Sequence, residues 1–195
     1  MTDGWDFVLR FLIFCLLHSL LALRTLQRFM EHRIPWAFRS YRLAYNLIAL
    51  VSFAWVMAAY PLSPVIYLVP GAGSLVFYGI QGVLLILLCR CATQVGVSDF
   101  IGLRQLRGIS APQALVTTGC YAVVRHPQYT LALLFLLFNP VMSVRWLLLT
   151  VLSALYCTIG AYVEERRLEE DFGDEFRRYR ERVPLFLPRL GWWNR

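Results

Sequence analysis

Five apolar runs alternate with short polar segments along this chain. The first spans Trp5 to Leu23 and is long enough for a bilayer core, which needs about 20 residues. The second extends from Leu43 to about Tyr60, where Pro61 and Pro64 break it, and the third covers Ser74 to Leu88. The fourth, Gln128 to Val141, is short; it turns at Asn139-Pro140, and Trp146 to Val163 returns as the fifth. The pattern predicts an all-α integral membrane protein with five transmembrane helices. The first run reads as a retained helix and not a signal peptide, because Arg residues follow it and no small-residue cleavage site appears. After the fifth run, Leu168, Phe172, Phe176, Tyr179 and Val183 are spaced by four, four, three and four residues. That stripe predicts one C-terminal amphipathic helix, stopped by Pro184 and Pro188. It is either a solvated cap on the bundle or a lid over a site at the membrane surface. A single membrane-embedded domain over 1–195 is expected, with three spans in residues 1–92 and the hairpin and tail in 93–195.

Charge supplies the orientation. Only 16% of residues are charged and 58% are apolar, against roughly 25% charged in ordinary globular proteins. The formal net charge is +7, and every basic residue apart from His is Arg. Arg24, Arg28, Arg33, Arg39 and Arg42 crowd the first loop beside one acid, Glu31. The connection from Pro61 to Gly73 carries no charge, the segment from Arg90 to His126 carries Arg104, Arg107 and Arg125, the hairpin turn carries only Arg145, and the tail is Arg-rich. Positively charged loops stay in the cytoplasm. The N-terminus is therefore expected outside, and the C-terminus inside. Arg residues that flank apolar runs suit anionic lipid headgroups and not nucleic acid. Membrane lipids are the expected surroundings; the oligomeric state is left open. Of the five cysteines, Cys89 and Cys91 form a C-x-C pair without His or a second pair at zinc spacing, so small apolar side chains are expected and no metal site.

Topology brings two distant segments together. The fourth and fifth helices form a tight hairpin, so their ends near His126 and Glu164 must be neighbours. Pro127 favours the first helical position and pushes His126 to the N-cap. Free N–H groups and the helix dipole make that end an anion site, to which Arg125 adds charge. Glu164-Glu165 closes helix five, where acids oppose the negative end of the dipole, and this suggests a role in holding a cation or ribose hydroxyls. The two ends together suit a zwitterionic ligand. The alternative is a plain ion pair between Arg125 and Glu164 or Glu165.

The segment Leu115-Val116-Thr117-Thr118-Gly119-Cys120-Tyr121, followed by Arg125-His126-Pro127-Gln128-Tyr129, resembles the signature of the isoprenylcysteine carboxyl methyltransferase and phospholipid methyltransferase superfamily. The later stretch, Glu164-Glu165, Leu168, Phe172-Gly173-Asp174-Glu175, Tyr179 and Arg182-Val183-Pro184, is similar too. The resemblance implies a membrane methyltransferase that uses S-adenosylmethionine. It implies cofactor contacts at Gln105, Leu115, Val116, Tyr121, His126, Pro127, Tyr129 and Glu164, and makes residues 93–195 the cofactor-binding half. In the isoprenylcysteine branch an Arg four residues before the cofactor-binding Glu meets the substrate. Here that position is Gly160, which argues against a prenylated-cysteine carboxylate as acceptor. His18-Ser19-Leu20-Leu21-Ala22, Tyr45-Asn46 and Asp99-Phe100-Ile101-Gly102-Leu103-Arg104-Gln105 resemble the bacterial methanethiol S-methyltransferases and NnrU-type proteins. The chain is short for the methanethiol enzymes, consistent with the lack of one N-terminal helix.

The expected acceptor is therefore a small lipophilic or membrane-associated molecule; a thiol, which reacts as its thiolate, is one candidate. Polar groups at membrane depth make His18, Asn46, Asp99 and Arg104 the substrate-side candidates; a catalytic base is not identified. The competing readings are a lipid or isoprenylcysteine-type methyltransferase, and an NnrU-like membrane protein linked to nitrogen-oxide metabolism without catalysis. SAM binding separates the last from the others.

Overall fold

A computed structural model describes residues 2–107 and 114–188 of the chain. Three helices are long and apolar enough to cross a membrane: α1 (Thr2–Leu21), α5 (Ala72–Gln94) and α10 (Val144–Phe172). Two shorter apolar helices, α4 (Tyr41–Met57) and α9 (Pro127–Leu137), occupy the remaining apolar runs. Short helices link them: α2 (Arg24–Arg33), α3 (Pro35–Phe38), α6 (Val97–Ile101), α7 (Leu103–Leu106), α8 (Cys120–Val123) and the terminal α11 (Asp174–Arg182). The protein is a helical membrane protein turned inside out. In α5 only Leu84 and Cys91 are buried, whereas Leu75, Val76 and Ile86 are each more than 60% exposed. A surface this apolar suits lipid, not water.

The chain forms two compact units. The first comprises Met1–Pro64, Gly96–Pro112 and Ser143–Leu148, and the second Val65–Val95, Gln113–Met142 and Leu149–Arg195.

In the first unit α1 packs on α4. Phe7 and Phe11 are buried there with Val56 and Ala59, and Phe14 meets Phe53 with ring centroids 5.6 Å apart. Arg10 lies within α1, where a charge is costly unless paired. Its guanidinium contacts Asp6 at 2.9 Å, lies 4.9 Å from the Trp55 ring centroid and donates to the Trp55 carbonyl at 3.2 Å. Arg145 reaches the end of α4 and donates to the Met57 carbonyl at 3.2 Å, satisfying a terminal acceptor that the helix leaves open.

In the second unit α5 packs on α9. Gln81 donates to the Phe135 carbonyl at 3.0 Å, near the end of α9. The fourth apolar run is helical only to Leu137. Asn139-Pro140 stops it, since the residue before Pro is disfavoured in a helix, and Asn139 Oδ1 accepts from the Val141 N–H at 3.2 Å. Val141–Ser143 forms a strand that pairs with Val65–Leu68 in a two-stranded sheet. The uncharged connection is therefore partly strand.

The fifth run departs further from expectation. α10 continues for 29 residues, about 43 Å at 1.5 Å per residue. Glu164 and Glu165 therefore lie two turns inside it and not, as expected, at its end, and no dipole misfit arises at them. The tail is two helices instead of one. Gly173 takes φ +51°, ψ −122° between them, a conformation open chiefly to glycine. The stripe survives the break: Phe176, Tyr179 and Val183 are buried together, with Leu168, Phe172 and Leu115 packed against them.

Phe176 is fully buried in that cluster. Phe176→Ala is expected to cost about 3–5 kcal/mol, read as a lowered denaturation midpoint of the purified protein; a loss under 1 kcal/mol would mean that α11 is not packed as described.

Candidate active site

Pro127 fixes where α9 begins. His126 precedes it at the N-cap, with φ −120° and ψ 63° and no side-chain cap. The first bond of the helix is donated by the Thr130 N–H to the His126 carbonyl at 3.1 Å. The N–H groups of Gln128 and Tyr129 come before it and are the donors that a helix start leaves open. The chain after α11 straps this end. The Arg125 N–H donates to the Pro184 carbonyl at 2.9 Å, the His126 N–H to that of Leu185 at 3.2 Å, and Thr130 Oγ1 to that of Phe186 at 3.1 Å.

Arg125 is engaged within the protein. Its Nε and Nη2 donate to the two oxygens of Glu165 at 2.6 and 3.2 Å, and Nη1 to the carbonyls of Arg180 and Val183 at 3.0 and 2.6 Å. The Arg125 and Glu165 side chains are 11% and 8% exposed. Arg125 lines the cavity beside this helix start, and its guanidinium also staples α10 to the carbonyls at the end of α11. The ion pair considered as the alternative forms, with Glu165 as its acid.

His126 stands between the two acids. Its Nε2 lies 3.3 Å from Glu165 Oε1, and since a carboxylate only accepts, this nitrogen carries the proton. Nδ1 lies 3.6 Å from Glu164 Oε2, and the ring stacks on Tyr129 at 5.3 Å with 2° between planes. Tyr129 Oη donates to Glu164 Oε2 at 3.1 Å. Glu164 differs from its neighbour in being half exposed, at 48%.

The opposite wall is pinned to α5. A disulfide joins Cys91 to Cys120, so Cys91 is not the independent apolar side chain expected of it. Gln94 Oε1 accepts from the Cys120 N–H at 3.1 Å. Gly119 adopts φ +62°, ψ −124°, a backbone conformation that favours glycine, and a Cβ there would displace the Gln94 amide that accepts from Cys120. Cys120 then sets Tyr121, whose carbonyl accepts from Tyr179 Oη at 2.7 Å. Burial, with a further push from the Glu164 carboxylate, lifts the Tyr121 phenol to about 12, so it stays protonated at neutral pH.

Between these walls opens a cavity of about 170 Å³. Leu115, Val116, Tyr121, His126, Pro127, Tyr129 and Glu164, all singled out in the sequence, line it together. So do Tyr179 and Gln128, which the sequence reading did not single out as site residues. Both stand in the segments that carry the family resemblance, Tyr179 also in the packing stripe, but no contact with the cofactor was expected of either. Gln105 belongs to the first unit, where its Oε1 faces the Arg42 N–H at 3.3 Å, and it does not line the cavity. His18, Asn46 and Arg104 are also in the first unit. His18 Nε2 hydrogen-bonds Tyr45 Oη at 2.6 Å, and Asn46 Nδ2 donates to the Ile101 carbonyl at 3.2 Å. Asp99 lies in α6, and its side chain is outside the described residues.

A family model described as phospholipid methyltransferase matches residues 74–175. The chain is similar to the methanethiol S-methyltransferase of Crocosphaera subtropica, 25% identical over 92% of this chain and 72% of that one. It is 28% identical to methanethiol S-methyltransferase 2 of Bradyrhizobium diazoefficiens, over 91% of this chain and 70% of that one. A shorter similarity, 39% identity over 36% of this chain and 27% of the other, relates it to the methanethiol S-methyltransferase of Pseudomonas deceptionensis. No solved structure matches it.

The two adjacent acids are expected to separate in a denaturation experiment. Glu165→Ala leaves the Arg125 charge buried without its partner, and such losses cost about 3–5 kcal/mol. Glu164→Ala removes a half-exposed side chain and should change stability by under about 1 kcal/mol. Equal effects on the midpoint would contradict this assignment.

Proposed function

The chain belongs to the phospholipid methyltransferase family, and from that premise we propose that it is an integral membrane methyltransferase that transfers the methyl group of S-adenosylmethionine to a small lipophilic thiol. The observation that supports this best is the gathering of His126, Tyr129 and Glu164 with Leu115, Val116 and Tyr121 around one cavity. The residues fit the donor. The N–H groups of Gln128 and Tyr129 suit its carboxylate. Glu164, half exposed and facing the cavity, suits its ammonium group or ribose hydroxyls. Leu115 and Val116 offer an apolar wall to the adenine. Tyr121, protonated, offers a hydroxyl. Bound there, the donor supplies a methyl group activated by the sulfonium.

What remains for the protein is to hold the acceptor in line and keep water out. Leu168 and Tyr179 of the stripe line the cavity on one side, and the strap from Pro184 to Phe186 holds the start of α9 beside it. A thiol acceptor agrees with the printed names of the similar proteins. It agrees also with Gly160, one turn before Glu164. A Cβ at Gly160 would stand 3.9 Å from Tyr129 Oη, and no cationic side chain occupies that position to meet a carboxylate.

We place five crossings in a bacterial inner membrane, with the cavity facing the cytoplasm. Leu62, 94% exposed in the uncharged connection, tests this placement. An impermeant maleimide should label Leu62→Cys on intact cells, and Glu31→Cys only after permeabilisation; the reverse pattern inverts the topology. The chemistry is tested with donor carrying a labelled methyl, given to purified protein with short alkanethiols, phosphatidylethanolamine or farnesyl-cysteine analogues. Label is expected on the thiol and not on the farnesyl-cysteine. Label on the phospholipid alone would replace the acceptor, and no transfer to any of them would sink the reading.

A further inference from the structure

Residues 22–40 connect two apolar helices and play no part in the cavity. α1 ends at Leu21 and α4 starts at Tyr41, and Tyr41 Oη donates to the Leu21 carbonyl at 2.7 Å, so the two helix ends are tied together. What lies between is an elbow of α2 and α3 with no buried residue in either helix. Arg28, Arg33 and Arg39 are exposed along it. So are three large apolar side chains: Leu23 at 41%, Phe29 at 55% and Trp36 at 79%. In α2, Gln27, Arg28, Glu31 and His32 mark one face, and Leu26, Phe29 and Met30, spaced by three and one, mark the other, which Arg33 joins at the last residue of the helix.

We propose that this elbow lies in the bilayer surface and binds anionic phospholipid headgroups. The two helices that hold its ends are apolar and membrane-bound, so the elbow begins and ends at the bilayer's edge. Its apolar side chains would stand in water if it projected outward. Laid along the surface, Phe29 and Trp36 enter the boundary between headgroups and acyl chains, where aromatic rings are favoured. The Arg residues then meet phosphate, and the guanidinium fork matches phosphate geometry better than an ammonium does. Charge selects the lipid. Five Arg against one Glu over residues 24–42 favour a negative surface over zwitterionic phosphatidylcholine. An acidic segment of another protein would satisfy the charges and leave Trp36 without an apolar environment.

The full-length protein is reconstituted into phosphatidylcholine vesicles with and without phosphatidylglycerol. The emission of Trp36 is isolated as the difference between the native protein and Trp36→Phe. It is expected to be quenched by lipids brominated near the headgroup end of the chain and shielded from aqueous iodide. Lipids retained by the purified protein from the mixed vesicles are then counted by native mass spectrometry. The combined variant Arg28→Gln, Arg33→Gln, Arg39→Gln should lose at least about fivefold of the phosphatidylglycerol preference, the factor expected for even one Arg at such a surface. Trp36 open to iodide and untouched by brominated lipid would overturn the proposal. So would a triple variant that keeps the native preference.

Discussion

The pairing of Arg125 with Glu165 fixes the polar end of the second unit. One guanidinium gathers two carboxylate oxygens from α10 and two backbone carbonyls at the end of α11. Three segments distant in sequence, around residues 125, 165 and 183, are thereby held within one hydrogen-bonded cluster. The side of the cavity formed by His126 and the tail depends on this. The strap bonds to Arg125 and His126, the α11 stripe covers Leu115, and His126 takes its orientation from Glu165. A buried pair of this kind adds little net stability over apolar packing, but breaking it is costly. Its contribution is to choose one arrangement.

Adjacent acids on one helix then divide the labour. One residue along an α-helix turns the side chain by about 100°, so Glu165 points into the staple while Glu164 points at the cavity. His126 and Tyr129 bridge the two settings. His126 leans on Glu165, and Tyr129 donates to Glu164. The cavity therefore keeps one carboxylate half open to solvent beside a helix start with open N–H donors. That combination suits a ligand carrying both charges.

Much of this was legible in the sequence, for identifiable reasons. Apolar runs of bilayer length report membrane helices, and Pro127 reports a helix start with His126 at its cap. The stripe from Leu168 to Val183 reports a packed face. Other features were not legible. The run Trp146–Val163 marks where lipid contact ends, not where hydrogen bonding ends, so α10 could continue beyond it to Phe172. The stripe could not reveal the break at Gly173, because both helices present the same face to the same cluster. Which of Glu164 and Glu165 would bind Arg125 depends on helix register at the level of one residue, and pattern alone does not set that. The bond between Cys91 and Cys120 joins residues 29 apart, with nothing in their local sequence to pair them.

The central claim is that the cavity binds S-adenosylmethionine through Glu164 while Glu165 serves structure. Calorimetric titration of the donor into the native protein and into Glu164→Gln tests it most directly, since Gln keeps the shape and removes the charge. Charge-assisted hydrogen bonds are worth roughly 1.5–3 kcal/mol, so Glu164→Gln should bind at least about tenfold more weakly, with an unchanged denaturation midpoint. Unaltered affinity in Glu164→Gln, or no binding to the native protein, would contradict the account.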